Sequence, residues 1–430
     1  MSGKRKLLSR EFDTENILNW IIYSTIIIMP FIVTRKVRPY YVTGKVLYLY
    51  IIFFAVLLCL IKLKIKFKYE KEEMILFAFL LSLIISTVLS IDKKTSIFGW
   101  DGRFEGLAIY AVYLLLFIAS LYYFKQYKNS INVLSIIGSL MAIYSILEYY
   151  GVDPISKYLF NTTEKIDMIG TIGNRNFLST YILLFLILSI SIYIMKNRKQ
   201  FLIYSSILFG GILVTYTRSG WLSFFVITII GYFLVRKKKD ILRRTSIVVI
   251  VFFLVFMGLE ISGRGGFVFR FNTIISDMVE NPENAGSGRI QIWRITLKAI
   301  KENPIVGTGL DTLQLRLIRD NFAEYYNYFD NHGVFIDKAH NEFLEYWACG
   351  GILTLISYIA LIGVILTKLF KRREDDGCKI YFLMILGYVI QSFFNISVPG
   401  VAPLYWILLG AAVKHYRDLD KAKEVQAITE

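Results

Sequence analysis

His340 is one of three histidines in 430 residues. It stands in the stretch KAHNEFLEYW, Lys338 to Trp347, where a long polar loop ends and an apolar segment begins. Near neutral pH an imidazole is the natural side chain for taking a proton from a hydroxyl. At a boundary between water and bilayer, beside Asn341 and Glu342, it fits chemistry on a lipid-borne substrate. The plainer alternative is a histidine that caps a helix at the interface. Arginines form the second signal. Arg218 lies in YTRSGW, Tyr216–Trp221, in a short turn between two apolar runs. An ionisable group so near membrane depth is costly and is a functional candidate; the alternative is a snorkelling side chain at a helix end. Arg289 lies in GSGRIQIW, Gly286–Trp293, in the first turn of a predicted helix whose N-terminus already carries partial positive charge. A bound anion resolves that conflict, because helix N–H groups and a guanidinium together make a phosphate or diphosphate site. A solvated surface arginine is the alternative. Arg175 in GNRNFLSTY, Gly173–Tyr181, and Arg103 with Glu105 in FGWDGRFEGL, Phe98–Leu107, stand at the mouths of two further apolar runs. Arg103 and Glu105 are expected to pair with one another.

The elements that must position these residues are membrane helices. The chain is 55% hydrophobic, with a mean hydropathy of +0.53. Apolar runs long enough to span a bilayer, about 17–25 residues, recur along it. About twelve are legible: Ile17–Thr34, Val46–Ile61, Met74–Ile91, Leu107–Phe124, Ile131–Tyr150, Phe177–Met195, Phe201–Thr217, Trp221–Val235, Ser246–Ile261, Phe343–Leu369, Ile380–Ile396 and the short Pro403–Val413. Backbone polar groups in lipid must be satisfied internally, so these are helices. The predicted fold is an all-α polytopic membrane protein. Residues 1–261 carry nine helices, 262–341 a large outer loop, 342–416 three more helices, and 417–430 a cytoplasmic tail.

The net charge of +16 maps to topology rather than to nucleic acid. Basic residues gather on one side: Lys4–Lys6, Lys62 to Lys71, Lys125 and Lys128, Lys196–Lys199, Arg236–Arg244, Lys371–Arg373 and the tail from Lys414. The positive-inside rule makes that side cytoplasmic, with both termini inside. Anionic membrane lipid is the partner this surplus implies. Arg35, Lys36, Arg38 and Lys45, after the first run, break the rule. Cys59 and Cys349 fall within apolar runs and Cys378 in a cytoplasmic loop, so no extracellular disulfide framework is expected.

The large loop, Ser262–Asn341, has helices of its own. Ser287 or Gly288 can cap one from Arg289 to Glu302, with Ile290, Trp293, Leu297 and Ile300 on one face; Pro304, Gly307 and Gly309 end it. A second is predicted from Asp311 to about Tyr328, with Leu313, Leu317 and Phe322 on one side. Such amphipathic helices lie on the bilayer or pack over the helical bundle. Several chemistries find no motif. There is no GxxxxGK[ST] loop for a nucleotide. There is no HExxH and no cysteine–histidine cluster for zinc. The Asp-x-Asp pair, Asp418 and Asp420, lies in the tail. No cofactor and no metal are expected, and metal-free chemistry on an anionic lipid at the outer face remains.

With these residues in view, the chain resembles the O-antigen ligase family of bacterial membrane proteins, which includes O-antigen-type polymerases and protein O-oligosaccharyltransferases. The resemblance rests on the layout and on GSGRIQIW followed by NPIVGTGL (Asn303–Leu310), then the His-Asn of KAHNEFLEYW, with YTRSGW and GNRN in agreement. It implies transfer of a glycan from undecaprenyl diphosphate to an acceptor hydroxyl, on a glycan, lipid or protein, outside the cytoplasmic membrane. The family's functional histidine maps onto His340 and its arginines onto Arg218 and Arg289. Arg103, Arg175 and Asn341 are the further substrate-binding candidates. Arg175 departs from a GNPN-like segment carried by many relatives. On the chemistry, arginines would stabilise charge developing on the diphosphate, and His340 would act on the acceptor. Direct attack would invert the anomeric centre, with Glu342 and Glu345 the carboxylates that could serve as nucleophile instead. The competing function is a transporter of an anionic solute, for which internal repeats would be expected.

The charge map generates a topology test. An Asn284→Cys variant should react with a membrane-impermeant thiol reagent in intact cells whose outer layers have been made permeable. Labelling that occurs only after lysis would reverse the orientation.

Overall fold

In the computed structural model, residues 2–35, 37–157, 167–235, 239–263, 265–280 and 288–429 are described. Lys36, Arg236, Asn284, Gly286 and Ser287 lie outside them. The described residues form helices α1 (Ser2–Ile27), α2 (Thr43–Lys62), α3 (Lys71–Val88), α4 (Lys93–Phe98), α5 (Leu107–Tyr123), α6 (Ser130–Tyr149), α7 (Arg175–Lys196), α8 (Gln200–Val214) and α9 (Arg218–Val235). They continue with α10 (Lys239–Ser262), α11 (Phe267–Glu280), α12 (Arg289–Glu302), α13 (Leu313–Asp320), α14 (Phe322–His332), α15 (Glu342–Glu345), α16 (Gly351–Lys371), α17 (Asp376–Ser392) and α18 (Ala402–Thr429). No strand occurs among them. Each of the twelve apolar runs falls on a helix. Six segments, α2, α6, α7, α9, α10 and Glu342–Lys371, are long and apolar enough to cross a membrane; α5 and α8 are apolar but shorter.

α7 is the central post. Its side chains are buried from Phe177 to Ser189 without a break, and α6, α8, α9, α10 and α17 pack around it. Its loop end is fixed by polar ties to α17 and the residues that follow it: Gln391 Nε2 donates to Ser179 Oγ at 2.7 Å, and Asn395 Nδ2 to Thr180 Oγ1 at 3.0 Å and the Asn176 carbonyl at 3.2 Å. Among apolar helices such hydrogen bonds and close backbone approach supply the glue. α5 and α18 meet so closely that a Cβ at Gly410 would come within 2.3 Å of the Phe117 carbonyl oxygen.

Two expectations about charge are corrected. Lys45 is not a loose loop charge: it lies in α2, buried, and its Nζ donates to the carbonyls of Ile32, Tyr41 and Thr171 at 2.8, 2.7 and 2.6 Å. One of the four charges that break the topology rule is thus a structural pin. And a cysteine–histidine cluster exists after all, because folding brings His415 of α18 to Asp375 and Cys378 at the start of α17.

The large loop builds a small core of its own from Ile292, Ile295, Ala299, Leu313, Leu317 and Tyr328, among others. α12 runs between the predicted ends, but its buried face is Ile292, Ile295, Ala299 and Ile300, while Ile290 and Leu297 are exposed. The helix carries two apolar stripes, and the one that meets α13 and α14 was not the one chosen from spacing. The second predicted helix is broken in two at Asn321, whose φ of −130° leaves the helical region. Asp311 does not start it; Asp311 sits in a left-handed turn, φ +60°. Leu313 and Leu317 are buried as expected, and Phe322 is exposed.

At the basic end of the bundle one arginine clasps α3. Arg417 of α18 meets Glu70, Glu72 and Glu73 at 3.1, 2.9 and 3.2 Å, and Lys368 of α16 also reaches Glu72 at 2.5 Å. Removing one partner of a buried ionic cluster leaves uncompensated charge. Arg417→Ala is expected to cost about 3–5 kcal/mol, read as a lowered thermal midpoint in detergent. An unchanged midpoint would mean that the clasp is dispensable.

Candidate functional site

Three helices begin with an arginine at the loop end of the bundle: Arg175 opens α7, Arg218 opens α9 and Arg289 opens α12. All three line one polar cleft of about 500 Å³, joined there by Arg270 of α11 and by His340. Asp167 is the one carboxylate lining it among the described residues, and it is paired with Arg175. Helix N-termini and guanidinium groups therefore point the same sign of charge at one volume of space.

The local folding explains the convergence. Between α8 and α9 the chain reverses in the turn Thr215–Thr217, where Tyr216 adopts φ +51° and donates its hydroxyl to the Gly265 carbonyl at 2.5 Å. Thr217 Oγ1 donates to the Arg175 carbonyl at 3.2 Å, so the starts of α7 and α9 are tied together. Gly288 precedes α12 with φ +77°, and a Cβ there would crowd the Tyr328 hydroxyl at 2.8 Å. Burial, followed by the neighbouring Arg218 charge, depresses the Arg289 guanidinium below its usual range, against the partial support of Tyr328. No carboxylate lies within ion-pair distance of Arg289 among the described residues. A bound anion would relieve both unfavourable effects.

His340 reaches the cleft from a strained turn, φ +48°, with its side chain 28% exposed. Its Nε2 lies 3.9 Å from Asp337 Oδ1. Asp337 in turn accepts a hydrogen bond from Arg103 Nε at 2.6 Å. The expected Arg103–Glu105 pair does not form. Glu105 is buried and accepts from the hydroxyls of Tyr113, Tyr110 and Ser397 at 2.8, 3.3 and 3.2 Å. Arg103 points the other way because Asp337 meets it there. Burial pulls the His340 imidazole down to about 4; the charges of Arg289, Arg103 and Lys338 act in the same direction and Asp337 opposes them. Burial pushes the Asp337 carboxyl up, but Arg103, His340 and Lys338 hold it below the usual range. His340 is thus neutral, and Asp337 ionised, at physiological pH.

The remaining neighbours are committed to architecture. Asn341 Oδ1 caps α15, accepting from the N–H groups of Phe343 and Leu344 at 3.0 and 3.1 Å, which leaves only its amide nitrogen for other contacts. Glu342 is buried and accepts from Tyr358, Tyr388 and Tyr346 hydroxyls. Lys338 is 3% exposed and bridges Asp311 at 2.6 Å and Glu345 at 3.2 Å. A π-helical turn, Tyr346–Gly350, follows. His332 stacks on Tyr328 at 4.2 Å and does not line the cleft. Arg270, Asp337 and the Lys338 network escaped the reading of the sequence. For Arg270 the signal was a lone cation among aromatic residues in FVFRFN; for Asp337 and Lys338 it was their place beside His340.

The cleft shares Arg218 and Arg289 with a second space, an apolar groove of about 610 Å³ between α8, α9, α10 and α11. Its walls include Phe209, Trp221, Phe224, Phe256 and Phe271, and those two arginines are its only charged lining residues among the described ones. An all-helical membrane protein with an arginine cleft opening onto an apolar groove is the class defined here. A family model described as O-antigen ligase matches residues 203–359, a stretch that holds Arg218, Arg270, Arg289, Asp337 and His340. It is 24% identical over 346 residues to a "ComP-specific O-oligosaccharyltransferase" of Acinetobacter baylyi, covering 74% of this chain and 61% of that protein. It is 29% identical over 211 residues to an uncharacterized protein of Haemophilus influenzae, covering 45% and 50% respectively. The chain thus aligns with less than two thirds of the length of either relative.

The electrostatics can be measured directly. A histidine NMR titration should show His340 neutral down to about pH 4, with its pKa rising when inorganic diphosphate is added, because the anion offsets the charge of Arg289. A His340 titration near 6.5 that ignores diphosphate would contradict this description.

Proposed function

We propose that the protein is a membrane glycosyltransferase that moves a glycan from an undecaprenyl-diphosphate carrier to an acceptor hydroxyl at the outer face of the cytoplasmic membrane. The observation that carries this reading is the junction of two unlike spaces at Arg218 and Arg289. A polyprenyl chain suits the apolar groove, a diphosphate suits the paired arginines, and the polar cleft beyond takes the first sugars.

The chemistry follows from the charges. A diphosphate is a competent leaving group once its developing charge is stabilised, and fixed guanidinium groups in a partly desolvated site do this without reorganising. His340, neutral before the donor arrives, accepts the acceptor's proton. Glu342 is covered by tyrosines and Glu345 is bound to Lys338, and neither lines the cleft. Direct displacement with inversion is therefore favoured over a covalent glycosyl-enzyme. The arginines supply the charge stabilisation that a metal gives elsewhere, so a chelator should leave transfer intact.

Three sets of variants test the reading with purified protein and lipid-linked glycan. Arg218→Ala and Arg289→Ala should each slow transfer by about 10²–10³, and lysine should rescue poorly because a point charge does not reproduce bidentate binding. His340→Ala should cost about 10²–10⁴ while retaining donor binding, and His332→Ala should remain active. With pH, kcat/KM should hold from neutrality downward and fall only as pH approaches about 4, where the free imidazole protonates. The acid limb of kcat should sit higher, because the bound diphosphate raises that pKa. Full activity of either arginine variant would remove that residue from the site.

A further inference from the structure

A second, smaller cavity of about 190 Å³ adjoins the cleft. The two share Gly173 and Asn174, which form part of the wall of each. Its character is different. Tyr41, Phe177, Pro39 and Pro399 give it flat apolar faces, and Arg103 is its only charged lining residue among the described ones. That charge is already answered by Asp337, and the guanidinium lies over the Phe177 ring, 5.9 Å from its centroid. A diphosphate has no counter-charge to meet here. A neutral ring with apolar C–H faces and hydroxyl edges needs none, and the volume of about 190 Å³ suits one such ring rather than a peptide segment.

The position matters as much as the lining. Arg103 links this cavity to Asp337, and Asp337 Oδ1 stands 3.9 Å from His340 Nε2. That separation is too long for a direct hydrogen bond, so Asp337 acts on His340 through its charge and leaves Nε2 open to an acceptor hydroxyl. An acceptor hydroxyl reaching out of the second cavity past Gly173 and Asn174 would enter the cleft that His340 lines.

We infer that the Tyr41–Arg103–Phe177 cavity is the acceptor subsite and that it holds a single neutral sugar ring, the terminal residue of an acceptor glycan. This inference rests on the transferase reading above. In the step, the acceptor oxygen forms a bond to the anomeric carbon of the donor sugar. The bond from that carbon to the diphosphate oxygen breaks, and its electron pair leaves with the diphosphate. The hydroxyl proton passes to His340 Nε2. Asp337, held in place by Arg103, is a positioning residue: its negative charge faces His340 and steadies the imidazolium that forms when the proton arrives.

Gly400 offers a selective test. It lines the cavity, and a Cβ built there makes ordinary contacts of 3.6 Å with Ile172 and 3.8 Å with Lys45. Gly400→Ala should therefore fold, and Gly400→Leu should fill the space. The probe is the short oligosaccharide released by mild acid from the source cell's own lipid-linked glycan. Its KM as acceptor should rise about threefold in Gly400→Ala and tenfold or more in Gly400→Leu, while the affinity for undecaprenyl diphosphate stays within about twofold. Direct binding of the same oligosaccharide, followed by saturation-transfer NMR without donor, should weaken in the same order. An unchanged acceptor KM in both variants, a parallel loss of diphosphate affinity, or a peptide hydroxyl as the sole acceptor would overturn the inference. Failure of the wild-type protein to bind undecaprenyl diphosphate would instead strike the transferase reading, with oligosaccharide binding in the two variants still deciding the cavity.

Discussion

Lys338 has almost no contact with water, and the geometry of the site hangs on where its charge is answered. Asp311 and Glu345 each take one of its contacts. Asp311 also accepts the backbone N–H groups of Trp100 and Glu105 at 2.7 and 3.0 Å, and Glu345 accepts that of Ala339 at 2.8 Å. One buried ammonium thus gathers the loop before α5, the turn before α13 and the start of α15. His340 follows two residues later. Left-handed backbone at Asp311 and His340 is costly for residues with a Cβ and persists only where the surroundings over-determine it. The ion triad is such a surrounding. Exchanging either carboxylate for a neutral group would leave a buried charge without its partner and loosen the turn.

The cleft is arranged against its own stability. Arginines at the first positions of α7, α9 and α12 add full charges to helix ends that are already partly positive. Like charges held together raise the energy of the empty protein, and an anion lowers it again. The conflict between local rules and global fold is concentrated where function would be expected. Elsewhere the chain obeys those rules: α7 is largely apolar on all sides because it is surrounded, and Arg417 at the basic end is answered by Glu70, Glu72 and Glu73.

Much of this was legible from residue types alone. Length and hydropathy placed each apolar run on a helix, and α12 begins and ends where its breakers predicted. Arg218 and Arg289 were found by their electrostatic cost and His340 by its place at the end of the polar loop, and the three come together in one cleft. What spacing could not decide was partnership. Arg103 stands two residues from Glu105 yet bonds Asp337, 234 positions away, because Glu105 is turned inward to three hydroxyls and only the fold brings Asp337 near. The buried face of α12 was misread for a related reason: two stripes were apolar, and the identity of the neighbour selected one. Asn341 read as a polar residue beside a catalytic histidine, whereas its oxygen serves helix α15. Lys45 read as a loop cation until its three carbonyl partners were visible.

The apolar groove has an open flank. Leu222, Phe225 and Phe271 line it and yet remain exposed on the surface of the protein, where a bilayer would cover them. It is a slot rather than a tunnel. A long-tailed molecule can slide in sideways from the surrounding lipid, with its tail never leaving a hydrocarbon environment and its head never threading through a ring of protein. The size of that head is then irrelevant to admission. If the occupant is the lipid-linked glycan proposed above, a carrier bearing one repeat and a carrier bearing a hundred would present the same short stretch to the arginines.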